Sequence, residues 1–355
     1  MVTLVLLGLL FLPFLIFGGI TSIIWKRKRR AVRRWTAISY LIAAGVLLLG
    51  VGPYLAAWAL THAGTRPPDK ALKETPADYG VPYEDIVLEA RDSVRLSGWF
   101  IPPAGRNAIL LCTHGLFRNR VEMLSRAMAA CRAGYGALLY DSRSHGASDK
   151  GLISLGYHER NDVLGAIQYI QRRYQDAPER PRIVLLGISM GAVATLEAAA
   201  ETRNYSALIL DSPFSSLRQT VVDHSWLLLK MPRYPFPSLF LFWLEQFAGF
   251  DPDLVDAHAA LQRAQPVPTL IIASEGDERM SASVARALYE EAKSSTRRLK
   301  VFGKDVSHGA AARKHPDEYA AMLIGFLDTA LAEKAASATA HQPLTRPTAK
   351  EDYPR

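Results

Sequence analysis

Hydrophobic positions along this 355-residue chain follow two regimes. In the first sixty residues they run almost unbroken: residues 2–25 and 35–60 contain no charged side chain. At about 1.5 Å per helical residue, roughly 20 residues cross a hydrocarbon core, so both stretches predict membrane-spanning helices. Beyond a Pro-containing linker the pattern changes to short apolar runs separated by amphipathic segments. Residues 83–90 and 94–101 predict two antiparallel strands joined by a tight turn. Residues 108–115, 135–142, 182–189, 207–213, 268–277 and 298–303 predict further strands, and helices are expected over 118–133, 158–174, to 200, over 281–293 and from 316 to about 335. Short, continuously apolar strands alternating with helices predict an α/β domain whose mostly parallel sheet is covered on both faces. The alternation breaks over 214–264, where aromatics and prolines crowd the segment KMPRYPFPSLFLFWLEQF. Ordinary packing helices and a lid over a site are both compatible with it. The organisation expected is therefore a two-helix anchor (1–62), a linker (63–82), an α/β domain (83–335) with an insertion at about 214–264, and a small, polar, disordered tail (336–355).

Charge refines this picture. The chain carries a formal +8, but residues 26–34 (KRKRRAVRR) hold seven basic residues and no acid. Setting those seven aside leaves +1 for everything else, so no basic face remains for a nucleic acid. The basic run sits between the two apolar stretches, flanked by Trp25 and Trp35, as a cytoplasmic loop between two spans does. That orientation puts both termini, and the domain, outside the cytoplasm: a multi-pass membrane protein, periplasmic in a Gram-negative host. Arg66, Lys70 and Lys73 after the second stretch reduce the contrast. A cleaved signal peptide fits less well, because residues 1–8 carry no charge. An amphipathic surface helix fits less well too, because neither stretch has a polar face. Cys112 and Cys131 show no metal-ligand spacing. Two buried thiols and a disulfide formed outside the cytoplasm both remain open.

Gly187-Ile188-Ser189-Met190-Gly191 has the form G-x-S-x-G. By itself the pattern is weak. Here it follows the buried-strand run RIVLLG and precedes the helix-forming run AVATLEAAA. That is the strand–turn–helix context in which two glycines let a strained turn present a serine hydroxyl at a helix N-terminus.

With this motif the sequence resembles the α/β-hydrolase superfamily over roughly residues 82–331, and in particular its membrane-anchored, serine-aminopeptidase-like branch. In that family a nucleophile, an acid and a histidine follow in chain order. The resemblance assigns these to Ser189, to Asp277 in IIASEGDERM, and to His308 in VFGKDVSHG. Asp211, ending the preceding strand in ILDSPF, is the alternative acid; Glu275 and Glu278 are expected to face solvent. His315 reads as a surface residue, and His224 and His258 lie in the insertion. The His114-Gly115 pair in LLCTHGLF implies an oxyanion hole made by the Leu116 and Met190 amides, with His114 structural. The HGGG form of many esterases is absent. The run Asp141-Ser142-Arg143-Ser144-His145-Gly146-Ala147-Ser148 resembles the family's D-x-R-x-H-G-x-S turn, in which His145 would brace the loop near the nucleophile.

The resemblance implies a serine hydrolase that cleaves carboxylic esters, lipid-derived ones among them, through an acyl-enzyme, with no cofactor and no metal. An acyltransferase, thioesterase or peptidase using the same residues, or an inactive membrane-tethered binding module, are the alternatives. The implied partners are an ester substrate and the membrane, with no nucleic acid; the oligomeric state stays open.

Overall fold

A computed structural model describes residues 30–69 and 71–340. The first apolar stretch, residues 2–25, lies outside them, so the expected pair of spans reduces here to one helix. That helix runs as α1 (Arg30–Val46), a π-turn (Leu47–Val51) and α2 (Gly52–His62). Its 29-residue Arg34–His62 portion, whose most apolar 18-residue stretch has a mean hydropathy of 1.9, is the one described helix long and apolar enough to cross a membrane.

The domain is built on an eight-stranded sheet comprising β1 (Glu84–Glu89), β2 (Arg95–Ile101), β3 (Ala108–Thr113), β4 (Gly136–Tyr140), β5 (Arg182–Ile188), β6 (Ala207–Asp211), β7 (Thr269–Ser274) and β8 (Arg297–Phe302). Their spatial order is β1-β2-β4-β3-β5-β6-β7-β8. The β1–β2 hairpin is antiparallel, as its alternating pattern predicts, and β2 meets β4 antiparallel; every other pairing is parallel. The continuously apolar runs are the strands buried on both faces: β3, β4, β6 and β7 are buried along their whole length.

Strand periodicity divides the core in two. From β3 and β5, Ile109, Leu111, Ile183 and Leu185 face α4 (Glu159–Arg173), α5 (Met190–Glu201), α8 (Ala257–Arg263) and α9 (Ala282–Glu291). Their neighbours Leu110, Cys112, Val184 and Leu186 face α3 (Leu124–Arg132), α10 (Ala311–Lys314) and α11 (Pro316–Ala340). A third apolar cluster lies under the insertion, which folds as α6 (Leu217–Leu229) and α7 (Phe236–Ala248). The neck of the insertion is pinned by two backbone bonds, Leu217 N–H to Val255 O (3.0 Å) and Ala257 N–H to Ser215 O (2.8 Å).

Three boundaries differ from the sequence expectation. The end of the apolar helix belongs to the domain: Ala57 and Thr61 are fully buried, and Tyr54 packs edge-on against Trp243 and Phe247 of α7, 5.1 Å from each. The exposed and the buried parts of this helix are alike in apolar composition, so hydropathy does not mark where it joins the domain. Residues 63–82 are not a free linker either, since Thr65, Pro76 and Val81 are buried. The last helix continues to Ala340, five residues into the segment expected to be disordered, and residues 341–355 lie outside the described ones. Cys112 and Cys131 are free and buried, and burial pushes the Cys131 thiol up to about 12.

The fully buried Phe326 of α11 fills the second core layer. Phe326→Ala is expected to cost about 3–5 kcal/mol through lost burial plus a cavity. Thermal melting of the detergent-solubilised chain measures it.

Candidate active site

Ser189 stands between the end of β5 and the start of α5 with φ 55° and ψ −121°, a backbone conformation that non-glycine residues rarely adopt. Packing around the flanking glycines enforces it. A Cβ on Gly187 would lie 2.2 Å from the Gly191 carbonyl oxygen, and one on Gly191 would lie 2.3 Å from that of Thr113. Only glycine allows strand, turn and helix to close this tightly. The Ser189 amide is held by the Asp211 carbonyl at 2.9 Å, which fixes the turn to β6.

The residues expected from the motifs converge here. His308, in the loop after β8, has Nε2 3.0 Å from Ser189 Oγ and Nδ1 2.6 Å from Asp277 Oδ2. Asp277, in the loop after β7, is buried, and its other oxygen accepts the Arg279 and Met280 amides, both at 2.9 Å. A carboxylate so held directs one oxygen at the imidazole, which fixes a tautomer with the proton on Nδ1 and the Nε2 lone pair toward the serine. A Cβ on Gly115 would come within 3.6 Å of Ser189 Cβ, so the loop after β3 runs alongside the hydroxyl. The Leu116 and Met190 amides donate to no other backbone group among the described residues. For Met190 this is the ordinary state of a first helical amide.

The alternative acid, Asp211, is committed elsewhere. Its carboxylate takes Arg126 Nε at 2.9 Å and the Tyr319 hydroxyl at 3.2 Å, all three residues being buried. Arg126 also donates from Nη2 to the Gly309 carbonyl at 2.8 Å, the residue after His308. Sequence reading missed Arg126 and Tyr319. The signal available was weak: an arginine in a short helix, with Met123 and Ala130 one turn away on either side of it. Glu275 and Glu278 are exposed, as expected. His315 pairs with Asp305 at the surface, His258 with Glu291, and His224 bonds the Thr220 carbonyl within α6.

His114 and His145 hold the loop after β3. His114 Nε2 accepts the Ser142 amide (2.9 Å), so its Nδ1 carries the proton and donates to the Gly115 carbonyl (2.8 Å). His145 Nε2 accepts the Phe117 amide (3.1 Å), and its Nδ1 donates to the Arg143 carbonyl (2.8 Å). Both imidazoles are thus fixed in the neutral form as structural groups. Burial, with the His114 ring adding to it, holds His145 down at about 4. An apolar cluster covers this side of the site: Met190 and Leu116 pack with Leu155, Phe214 and Leu241 of the body and insertion, and with Ala57 and Leu60 of α2.

Removing the Asp211 charge leaves Arg126 buried without a counter-charge, so Asp211→Asn is expected to lose about 3–5 kcal/mol of stability, read as a lowered melting temperature. For His145 the sign follows from its depressed value. Between about 4 and the ordinary 6.5 the unfolded chain binds a proton there that the folded chain does not, so this contribution to stability falls as pH drops through that window. Wild type is expected to lose melting temperature relative to His145→Asn on going from about pH 7 to about pH 4.5.

Comparison with known proteins agrees with this architecture. Residues 104–249 match the family model described as serine aminopeptidase, S33. The Rv2307c protein of Mycobacterium tuberculosis is 27% identical over 296 residues, covering 81% of this chain and 84% of that one. Among solved structures, the Pf2001 esterase of Pyrococcus furiosus superposes with a TM-score of 0.61 at 22% identity, over 75% of this chain and 98% of the esterase. The acylaminoacyl peptidase of Pyrococcus horikoshii gives 0.52 at 18% identity, over 70% of this chain and 42% of the peptidase. The chain has the α/β-hydrolase fold, and over residues 104–249 it is similar to the serine aminopeptidase family.

Proposed function

We propose that this protein is a membrane-anchored esterase that cleaves carboxylic esters through an acyl-enzyme on Ser189. The observation that carries the reading is the pair of contacts made by His308, 3.0 Å to Ser189 Oγ and 2.6 Å to Asp277. Ser189 Oγ attacks the acyl carbonyl while His308 Nε2 takes its proton. The new C–O bond forms as the carbonyl π bond opens, and the oxyanion is met by the Leu116 and Met190 amides. His308 then returns the proton to the leaving alcohol, leaving the acyl-serine. A water, deprotonated by the same nitrogen, releases the acid and restores the serine. Asp277 stays ionised and steadies the imidazolium formed in each half.

An ester of lipid origin is the substrate class favoured by the surroundings. The exposed large apolar side chains concentrate on the N-terminal helix, including Trp35, Leu41, Ile42 and Trp58, and on the insertion that packs against it, at Trp226, Leu228, Tyr234 and Phe242. Surface of this kind is disfavoured in water and suits the boundary of a bilayer. Residues 34–51, before the helix enters the domain, are roughly 27 Å long, against about 30 Å for a hydrocarbon core. The seven basic residues at 26–34 then lie on the cytoplasmic side and the domain on the opposite one. The aminopeptidase description of the matching family favours amide cleavage as the second reading, and product analysis with acylated amines separates it.

Labelling of membranes with a fluorophosphonate probe, together with turnover of short-chain aryl esters, tests the reading. Wild type is expected to label and turn over. Ser189→Ala is expected to lose labelling and about 10⁶-fold in kcat, and Asp277→Asn about 10⁴-fold in kcat with the fold intact. A folded wild type that neither labels nor hydrolyses defeats it.

A further inference from the structure

The loop after β3 is fastened on every side but one. The Gly115 amide donates to Glu122 Oε2 (2.8 Å), the Gly115 carbonyl takes His114 Nδ1 and the Phe117 amide goes to His145. The remaining fasteners come from the segment directly after the apolar helix. The Arg66 amide donates to the Phe117 carbonyl (3.0 Å). Thr65 Oγ1 donates to the Arg118 carbonyl (2.8 Å) and accepts the Gly146 amide (2.7 Å), so one hydroxyl ties the loop to the turn that carries His145. Asp69 Oδ2 takes Arg118 Nη1 at 3.0 Å. Four residues before Thr65 the helix end is itself fixed: the Thr61 carbonyl accepts the Ile153 amide (3.0 Å), and Leu60 packs in the cluster that holds Leu116. The amide left over in the middle of these bonds is that of Leu116.

We infer that Thr65, at the foot of the N-terminal helix, is a positioning residue that sets the Leu116 amide against the developing oxyanion, so that the anchor forms part of the catalytic geometry rather than a tether. This rests on the hydrolase reading above. An oxyanion donor acts through placement fixed before the reaction, and its loop must not relax toward the uncharged carbonyl of the bound ester. Thr65 is buried and both bonding directions of its hydroxyl are used, one from each side of the loop junction. Removing that hydroxyl leaves the Arg118 carbonyl and the Gly146 amide without this partner and frees the segment around Leu116 to shift. Such a shift weakens an interaction made in the transition state and leaves ground-state binding of the ester as it was.

The experiment uses the full chain in detergent or vesicles with a soluble short-chain aryl ester, so that delivery from a membrane plays no part. Thr65→Val, close in shape and without a hydroxyl, is expected to lose roughly ten- to a hundredfold in kcat with KM within about twofold of wild type. Its second-order rate of fluorophosphonate labelling should fall in parallel, because that adduct also places an oxygen in the oxyanion position. Thr65→Ser, which keeps both hydrogen bonds, should restore kcat and labelling to near the wild-type values. If the valine variant yields too little folded protein by melting analysis, Thr65→Ala is read the same way below its own melting temperature. A folded valine or alanine variant with wild-type kcat overturns the inference. So does a change confined to KM, or a loss of kcat that serine does not restore. A folded wild type without turnover or labelling overturns the hydrolase reading, and this inference with it.

Discussion

The strained turn at Ser189 is the constraint on which the rest of the site depends. A non-glycine residue at φ 55° and ψ −121° costs on the order of 1–3 kcal/mol and persists only where its surroundings leave the chain no alternative. Those surroundings are the close approach of Gly187 to Gly191 and of Gly191 to Thr113, and they hold only while β3, β5 and β6 keep their register. The Ser189 amide bonds to the Asp211 carbonyl, and the Asp211 side chain holds Arg126, which in turn holds the Gly309 carbonyl beside His308. One chain of contacts therefore runs from the backbone of the serine turn to the loop that carries the histidine. The serine and its imidazole partner are registered to each other through β6 as well as directly.

That chain contains a buried ion pair, which is an expensive way to join two loops. Desolvating a guanidinium and a carboxylate costs several kcal/mol each, and their mutual attraction offsets this only with good geometry and further hydrogen bonds. Here the additional bonds are present: the Tyr319 hydroxyl to Asp211, and Arg126 Nη1 to the Glu122 carbonyl at 3.2 Å. Glu122 also binds the Gly115 amide, so the same cluster reaches the loop of the expected oxyanion donor. A hydrophobic replacement of the same volume could fill the space, but it could not hold three backbone segments at hydrogen-bond distance. The ion pair here serves geometry more than stability.

What could be read from the sequence follows from which interactions are local. The strands were legible because burial on both faces demands continuous apolar runs such as ILLC and LLGI, bounded by turns. Ser189 was legible because its strained turn needs glycines at fixed offsets, and Asp277 and His308 because they end consecutive strands of a known order. Asp211 was left open as an acid because its sequence context does not reveal Arg126, 85 positions away and itself in a run that reads as an ordinary amphipathic helix. The hook at residues 65–69 looked like a linker for the same reason. Its contacts are hydrogen bonds to the backbone of residues about 50 to 80 positions later, and no periodicity records them.

The N-terminal helix changes surroundings part-way along, and its backbone changes at the same place. Pro53 has no amide to donate to the carbonyl four residues back, and just before it the helix widens into a π-turn in which the Gly52 amide reaches the Leu47 carbonyl. Before this point the described side chains are largely exposed and apolar, with Trp35, Leu41 and Ile42 each more than half accessible. From this point Gly52 lies against the Phe236 ring, and Tyr54 packs on Trp243 and Phe247. A local widening lets the two halves of the helix take different rotational settings. One half can then present apolar side chains all round while the other turns a single face to α7. A straight helix would have to satisfy both surroundings with one phase. The π-turn removes that conflict, and the residues that follow the helix bring Thr65 to the loop beside Ser189.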